Sequence, residues 1–373
     1  MKPAAGSLAA ALYGKRLVVL VGQGGVGKTS ASAAIAYGKA CGGAMVSVLT
    51  VDPAPRLGDA LGIATIGADP QDVALPESAR GTLTAMRLDT KRTFDRMIEE
   101  NSSSAAVTQK LLAHPIYRAI SEQLGGTENY MAFQRLHELV AQGGRDCLVV
   151  DTPPATNATE LLSAPSRLAG LLDTGALSII AEPARLVART GGVLARATIS
   201  LVIAAIGRVT GTPLQREVGQ FVDLFSDLVG GLEGRARAID ELLRAPETAF
   251  VLVTRPREGD VADALAFRAS LDRMGIRVAA VVANRVTPAA TPSSEPDAIR
   301  LAGLTPRQRG AVIAMEADMN ALRALERSAL VHLRESLGGP GDPPVFELAA
   351  RDVDVASLDD IAILARELEA APK

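Results

Sequence analysis

The chain predicts an α/β fold, a mostly parallel sheet with helices on both faces, and three observations predict it. Short apolar, β-branched runs bounded by turn residues recur along its 373 residues. Helical patterns lie between most of them. A glycine-rich run, Val21-Gly-Gln-Gly-Gly-Val-Gly-Lys28-Thr29-Ser30, joins the first apolar run to an Ala-rich stretch. Strands covered on both faces read as continuous apolar runs, and their alternation with helices marks parallel pairing through crossovers.

Taken in order, the first strand is Arg16–Val21, and the Ala-rich stretch Ala31–Ala40 is the helix after the glycine run. Met45–Val51 is the second strand. Thr90–Gln142 is largely helical, with Pro115 and Gly125-Gly126 as breaks. Cys147–Asp151 returns to the sheet. Leu161–Arg244 holds no convincing strand. There Ile199, Val202, Ile203, Ile206 and Val209 follow helical spacing, as do Val218, Phe221, Val222, Phe225, Leu228, Val229 and Leu232. Strands resume at Ala249–Thr254 and Arg277–Ala283, a Pro/Thr/Ser loop follows at Thr287–Pro296, and Val345–Leu348 is the last strand. Ser357–Ala371 is an acidic helix. Residues 1–373 are thus expected to form a single domain, with helical subdomain segments at about 90–142 and 161–244 inserted within it.

Composition narrows the class. Hydrophobic residues make up 48% and charged residues 22%, a globular balance that leaves no segment for a disordered tail. Aromatics are 3% with no Trp, so the core is aliphatic. A net charge of −3 argues against a dedicated nucleic-acid surface. Two cysteines, Cys41 and Cys147, offer neither a disulfide framework nor a cysteine zinc site within one chain. Cys147 sits in an apolar run and reads as a buried structural thiol. The N-terminus lacks the basic region and long apolar stretch of a secretory signal. No run of about 18 apolar residues predicts a spanning helix. The apolar run Ile199–Gly207 is too short to span and reads as a buried helix. The expectation is a cytoplasmic protein with no stable membrane insertion.

The chemistry concentrates at strand ends. Gly22, Gly24, Gly25 and Gly27 let the backbone wrap a phosphate chain, with Gln23 and Val26 between them, and the following helix N-terminus points its amides at the anion. Lys28 supplies a point charge to the outer phosphates. The Thr29 hydroxyl, followed by Ser30, is placed to ligate Mg²⁺. The strand–loop–helix context makes this a P-loop and implies a nucleoside triphosphate. Asp52, in Leu49-Thr-Val-Asp52-Pro-Ala-Pro, leaves a strand beside the loop. It can orient the water attacking the γ-phosphate, or it opens a turn. Asp151, closing Leu148-Val-Val-Asp151, has the Walker B arrangement, holding Mg²⁺ directly or through water. Asn284 follows the strand Val278–Ala283, where its amide can pair with an adenine edge or simply make a turn.

Together these motifs resemble the arsenite-pump ATPase family, which also contains the eukaryotic factor that delivers tail-anchored membrane proteins. The loop interior matches the deviant P-loop pattern of dimeric ATPases. Thr50-Val-Asp52-Pro-Ala, Asp151-Thr-Pro-Pro and Ala283-Asn284-Arg285 carry the rest. Leu88–Phe94, His114–Tyr117, Gly125–Met131 and Asn157–Asp173 are similar to its less studied bacterial branch. The resemblance covers most of residues 15–288. It implies ATP at a dimer interface, Asp52 as the water-positioning residue, Asp151 near Mg²⁺, and a helical subdomain that moves with nucleotide state. Nucleotide contacts fall on Gly22, Gln23, Gly24, Gly25, Val26, Gly27, Lys28, Thr29, Ser30, Asn284 and Arg285.

The departures point elsewhere. Arsenite pumping needs a cysteine cluster and the targeting factor a Cys-x-x-Cys zinc site; neither is here. Where the deviant loop usually carries a second lysine that reaches the partner's nucleotide, this chain has Gln23. A neutral amide cannot offset charge developing in the transition state, so slow hydrolysis is expected. Two functions follow. One is a homodimer or heterodimer with a related ATPase, whose nucleotide cycle rearranges the helical subdomain around a partner or apolar protein client. The other is an ATP-binding regulatory subunit with negligible hydrolysis, acting through a partner ATPase.

Overall fold

A computed structural model describes residues 6–52, 54–115, 117–118, 128–153, 234–289, 303–339 and 341–370. The chain divides into two compact units. One comprises Met1–Arg87, Gly144–Thr159 and Pro246–Lys373, the other Leu88–Gly143 and Glu160–Ala245. The two apolar stripes expected at 199–209 and 218–232, and the segment Asn157–Asp173, lie outside the described residues.

The first unit carries an eight-stranded sheet. In chain order its elements are α1 (Leu8–Ala11), β1 (Leu17–Val21), α2 (Lys28–Cys41), β2 (Met45–Thr50), α3 (Arg56–Leu61), β3 (Gln71–Asp72) and β4 (Thr82–Arg87), all N-terminal to the second unit's helices. After those helices come β5 (Cys147–Asp151), β6 (Thr248–Thr254), α7 (Glu258–Arg273), β7 (Val278–Val286), α8 (Pro306–Ser336), β8 (Val345–Ala349) and α9 (Leu358–Glu369). The strand order is β3-β4-β2-β5-β1-β6-β7-β8. Every pairing is parallel except β3 with β4. The carboxyl ends of all the parallel strands therefore share one edge, where open α/β sheets bind ligands.

The apolar runs explain the burial. Every residue of β1 and of β5 is buried. Alternate strand residues, such as Val18, Leu20, Val48, Val149 and Val251, join one core cluster with α1, α2, α3 and α9. Their neighbours Leu17, Val19, Leu49, Val150 and Leu252 are buried as well. On β6 the helix α7 supplies cover, through Val261, Ala264, Phe267 and Leu271. The alanines of α2 fit this layer because small side chains let a helix lie close on a sheet. Helix ends follow their chemistry: α8 opens on a capping box, Thr305 with Gln308, and Pro306 at its first position.

The second unit holds α4 (Thr90–Asn101), α5 (Ala105–Ala113), α6 (Glu128–Gln142) and a helix over residues 234–244. Asp89 caps α4, accepting from Arg92 N at 2.8 Å. Phe94, Met97 and Ile98 form its buried stripe, and Phe94 stacks on Tyr117 with ring centroids 5.5 Å apart. α5 ends at Ala113 with His114 as its C-cap, the residue before Pro115, where helical backbone is disfavoured.

Three elements escape the reading of apolar runs. β4 alternates exposed Thr82 with buried Leu83 and Ala85, so it never shows a continuous apolar run. β3 is two residues on the sheet edge. Most of the N-terminal two-thirds of α8 is exposed, so it lacks a strong apolar stripe; its buried residues are confined to Glu326–Leu333. β7 also runs past Ala283 to Val286 through an irregularity, which puts Asn284 inside the strand.

Candidate functional site

The glycine loop leaves β1 between β5 and β6, the two strands that flank it. At two of its glycines a side chain has no room. Gly22 has φ +146°, and a Cβ there would lie 2.3 Å from the Val253 carbonyl oxygen. Gly27, the α2 N-cap, has φ +97°, and its Cβ would lie 2.0 Å from Asn284 Nδ2. Any side chain at either position collides with the strand behind it. Gly24 and Gly25 differ: both are exposed at the tip of the loop. A Cβ on Gly25 would meet nothing within 4 Å, but its φ of +75° is left-handed backbone that a side chain would strain, so conformation and not space favours glycine there.

Lys28 is buried, and its ammonium donates to the carbonyls of Gly22 at 2.9 Å and Gln23 at 2.8 Å. Burial lowers its pKa, while the nearby carboxylates of Asp151 and Asp52 oppose that. The same chain of contacts continues to the acidic side. Thr29 Oγ1 donates to Asp151 Oδ2 at 2.8 Å, and Thr50 Oγ1 donates to the same oxygen at 3.0 Å. Register explains the meeting, since Thr50 of β2 pairs with Asp151 of β5. Asp151 is 1% exposed. Burial pushes its pKa up to about 6, against the two hydroxyl hydrogen bonds and Lys28, with Asp52 adding to the rise.

Asp52 leaves β2 on the same edge. Its carboxylate accepts from Ala54 N at 2.9 Å, the geometry of an Asx turn, and Arg56 stands 3.7 Å away. Arg56 is largely exposed, so that ion pair adds little. Asp52 thus makes a turn and faces Lys28 and Asp151 at once. Thr152 locks the edge by donating to the Leu20 carbonyl at 2.6 Å.

Asn284 is turned toward the loop. Its amide donates to the Val26 carbonyl at 2.8 Å, and its oxygen accepts from Arg285 N at 2.9 Å. Arg285 has φ +61°, the single positive value among described non-glycine residues. Such backbone strain persists where the surroundings impose it.

An open cleft of about 900 Å³ gathers most of these groups, with Asp151 buried behind its lining. Gly25, Gly27, Lys28, Thr29, Ser30 and Asp52 line it, together with Asn284, Arg285 and residues just past β8. The expected loop residues do not all meet there. Gly22, Gln23 and Val26 face a small hollow against Val253, Thr254 and α7 instead. Gly24 stands exposed between Gln23 and Gly25. Lining residues missed by sequence reasoning include the charged groups Asp59, Arg255, Arg351 and Asp354. Arg255 directly follows β6 and Arg351 lies two residues past β8, so the strand-end rule that found Asp52 and Asp151 could have found them. Gln23 donates through its side-chain amide to Asp263 of α7, a partnership the sequence did not signal.

The donor set fits a magnesium–triphosphate. A threonine hydroxyl and a buried carboxylate present hard oxygens to a divalent cation, and Asp151 is mostly ionised above pH 6. Loop amides and Lys28 suit a polyanion. Among the described residues no three His, Cys, Asp or Glu cluster as a metal site, and no helix is long and apolar enough to cross a membrane.

Residues 15–300 match the model of the anion-transporting ATPase family. An uncharacterized protein of Streptomyces coelicolor is 29% identical over 279 residues, 74% of this chain and 64% of that protein. A putative arsenical pump-driving ATPase of Aquifex aeolicus is 25% identical over 284 residues, 73% of this chain and 64% of that one. The ATPase GET3 of Malassezia globosa is 29% identical over 147 residues, 39% of this chain and 41% of its own. The matched region spans just under two thirds of the longer-matching relatives.

Proposed function

Because the chain belongs to the anion-transporting ATPase family, we propose that it binds ATP with Mg²⁺ on the glycine loop and hydrolyses it slowly. The observation that carries this reading is the convergence of Lys28, Thr29, Asp151 and Asp52 on one edge of the sheet. Loop amides from Gly22 through Gly24 and Gly25 to Thr29 cradle the outer phosphates. Lys28 keeps the Gly22 and Gln23 carbonyls on two of its N–H groups and gives the third to a phosphate oxygen. Thr29 and Asp151 would hold Mg²⁺, Asp151 directly or through water, and the ion would supply neutralisation of phosphate charge. Asp52 orients a water for in-line attack on the γ-phosphorus and accepts its proton. The bond from phosphorus to the bridging oxygen breaks, and ADP leaves with that oxygen. Asn284 shapes the loop through Val26, and Arg285 reaches the nucleotide from its strained position near the end of β7. Gln23 leaves the transition state short of one cation, which makes turnover slow.

In the same reading the molecule works as a cytoplasmic homodimer or heterodimer. Its second, helical unit, inserted in the ATPase domain, changes with nucleotide state to take up and release a partner or apolar client. One observation favours the alternative of a regulatory subunit with negligible hydrolysis: Gln23 is neutral and is engaged within its own chain. The nucleotide site is tested by titrating parent and Lys28→Ala with a fluorescent ATP analogue. Lys28→Ala should lose binding by about a hundredfold or more, as expected for removing a charge-assisted contact. Equal affinities would remove the loop as the nucleotide site. Steady-state turnover of the parent, alone and with co-purifying partners, separates the two functions.

A further inference from the structure

The glycine loop is tied to the sheet at its two ends by backbone and amide contacts. Gly22 abuts the Val253 carbonyl, and Val26 accepts from Asn284. Between them Gln23 bears two different loads. Its carbonyl accepts from the Lys28 ammonium at 2.8 Å, and its side chain donates to Asp263 Oδ2. Asp263 stands one turn into α7 on a firm base. The helix buries Val261, Ala264 and Phe267 against its surroundings. Its first turn is fixed to β6, where Arg255 grips Asp260 with two hydrogen bonds of 2.8 and 3.2 Å and Thr254 Oγ1 donates to the Asp260 carbonyl at 3.0 Å. Asp260 and Asp263 lie three apart, so one face of α7 holds both Arg255 and Gln23.

We propose that Asp263 is a positioning residue for the phosphate loop: it anchors Gln23, and through the Gln23 carbonyl it sets where Lys28 stands. The inference rests on the nucleotide site proposed above for its catalytic meaning, though the anchoring itself does not. An aspartate beside a polyanion site repels the ligand, so electrostatics alone gives it no reason to stand there. Its acceptor oxygen does. Loss of Asp263 has two opposite effects on ATP affinity: a looser loop weakens binding, and a removed negative charge strengthens it. Orientation of the reacting groups has no such compensation, so the loss falls on kcat.

The test reads the loop directly, by hydrogen–deuterium exchange of the peptide over residues 21–30 in the full chain. An exposed, charge-assisted hydrogen bond corresponds to about a three- to fivefold change in local opening. Asp263→Ala and Gln23→Ala should each speed exchange by about that factor, and the double variant should be no faster than the quicker single one. Asp263→Asn keeps an acceptor and should restore most of the protection. With Mg·ATP, Asp263→Ala should lower kcat several-fold with KM within about twofold, and Asp263→Asn should recover most of the rate. Equal exchange in parent, Asp263→Ala and Asp263→Asn would overturn the anchoring, whatever the turnover. Normal anchoring in a parent chain that binds no ATP analogue would instead overturn the nucleotide site and leave Asp263 a structural tie of the loop.

Discussion

Replacing Asp151 with asparagine should make the ligand-free protein more stable at neutral pH, by an amount the buried carboxyl itself sets. Burial raises the Asp151 pKa from 3.8 to about 6. Below about pH 4 the folded and unfolded chains both hold this proton, and the stability it contributes is fully present. As pH rises from about 4 to 6 the unfolded chain ionises first, so stability is lost. Above pH 6 the loss is complete. At about 1.4 kcal/mol per pH unit the whole effect is about 3 kcal/mol. The asparagine side chain never ionises, and its carbonyl oxygen can accept from Thr29 and Thr50 in place of the carboxylate. The assay is urea unfolding of parent and Asp151→Asn with EDTA and no nucleotide, at pH 4.5 and pH 8. Groups common to both chains cancel in the difference. That difference should grow in favour of the variant by about 2 kcal/mol between the two pH values, the share of the effect lying in this window. Added Mg²⁺ with a non-hydrolysable ATP analogue should stabilise the parent more than the variant. A difference that does not change with pH, or one that shrinks as pH rises, would refute the account of Asp151 as a desolvated carboxylate.

Asp52→Asn should keep ATP affinity within about twofold and lose hydrolysis by about a hundredfold, because an amide cannot take the proton from water; turnover at the parent rate would leave Asp52 as a turn residue only. Gln23→Lys alone should change kcat by less than about twofold, since Asp263 gives the new ammonium a partner in its own chain. Gln23→Lys with Asp263→Asn frees that charge and should raise kcat by about tenfold or more, as added cations at a transferring phosphoryl group do. A large gain in the single variant would show that Asp263 does not hold position 23.

The sheet was legible because its central strands carry their own signal. Arg16–Val21, Met45–Val51, Cys147–Asp151 and Ala249–Thr254 are apolar runs that became β1, β2, β5 and β6 within a residue or two. A strand buried on both faces has no polar positions to hide it. β4 was hidden for the opposite reason: Thr82 and Arg87 are exposed and Thr84 is half-buried, so its pattern is no continuous apolar run. α8 was hidden because a helix with so little buried surface needs no apolar stripe. Strand order, and with it the meeting of Thr50 and Asp151, is a property of crossovers that no local run records.

The site divides along the same line. Gly22, Gly27, Lys28 and Thr29 are neighbours in sequence, and their spacing alone matches the pattern of a phosphate loop. What tunes those residues comes from far along the chain: Asn284 reaches Val26 across 258 positions, and Gln23 reaches Asp263 across 240. Such contacts leave no spacing to read, because the sheet brings them together. They also differ in kind from the motif. Lys28 and Asp151 are charged groups taken out of water and compensated by a few oxygens each, Gly22 and Gln23 carbonyls for one and Thr29 and Thr50 hydroxyls for the other. Each would find a stronger partner in a phosphate or a divalent cation than in those neutral oxygens. Desolvation of Lys28 and Asp151 therefore costs the fold stability, and binding of a magnesium–triphosphate would recover that cost. This coupling ties ligand affinity to how firmly the distant anchors hold the loop.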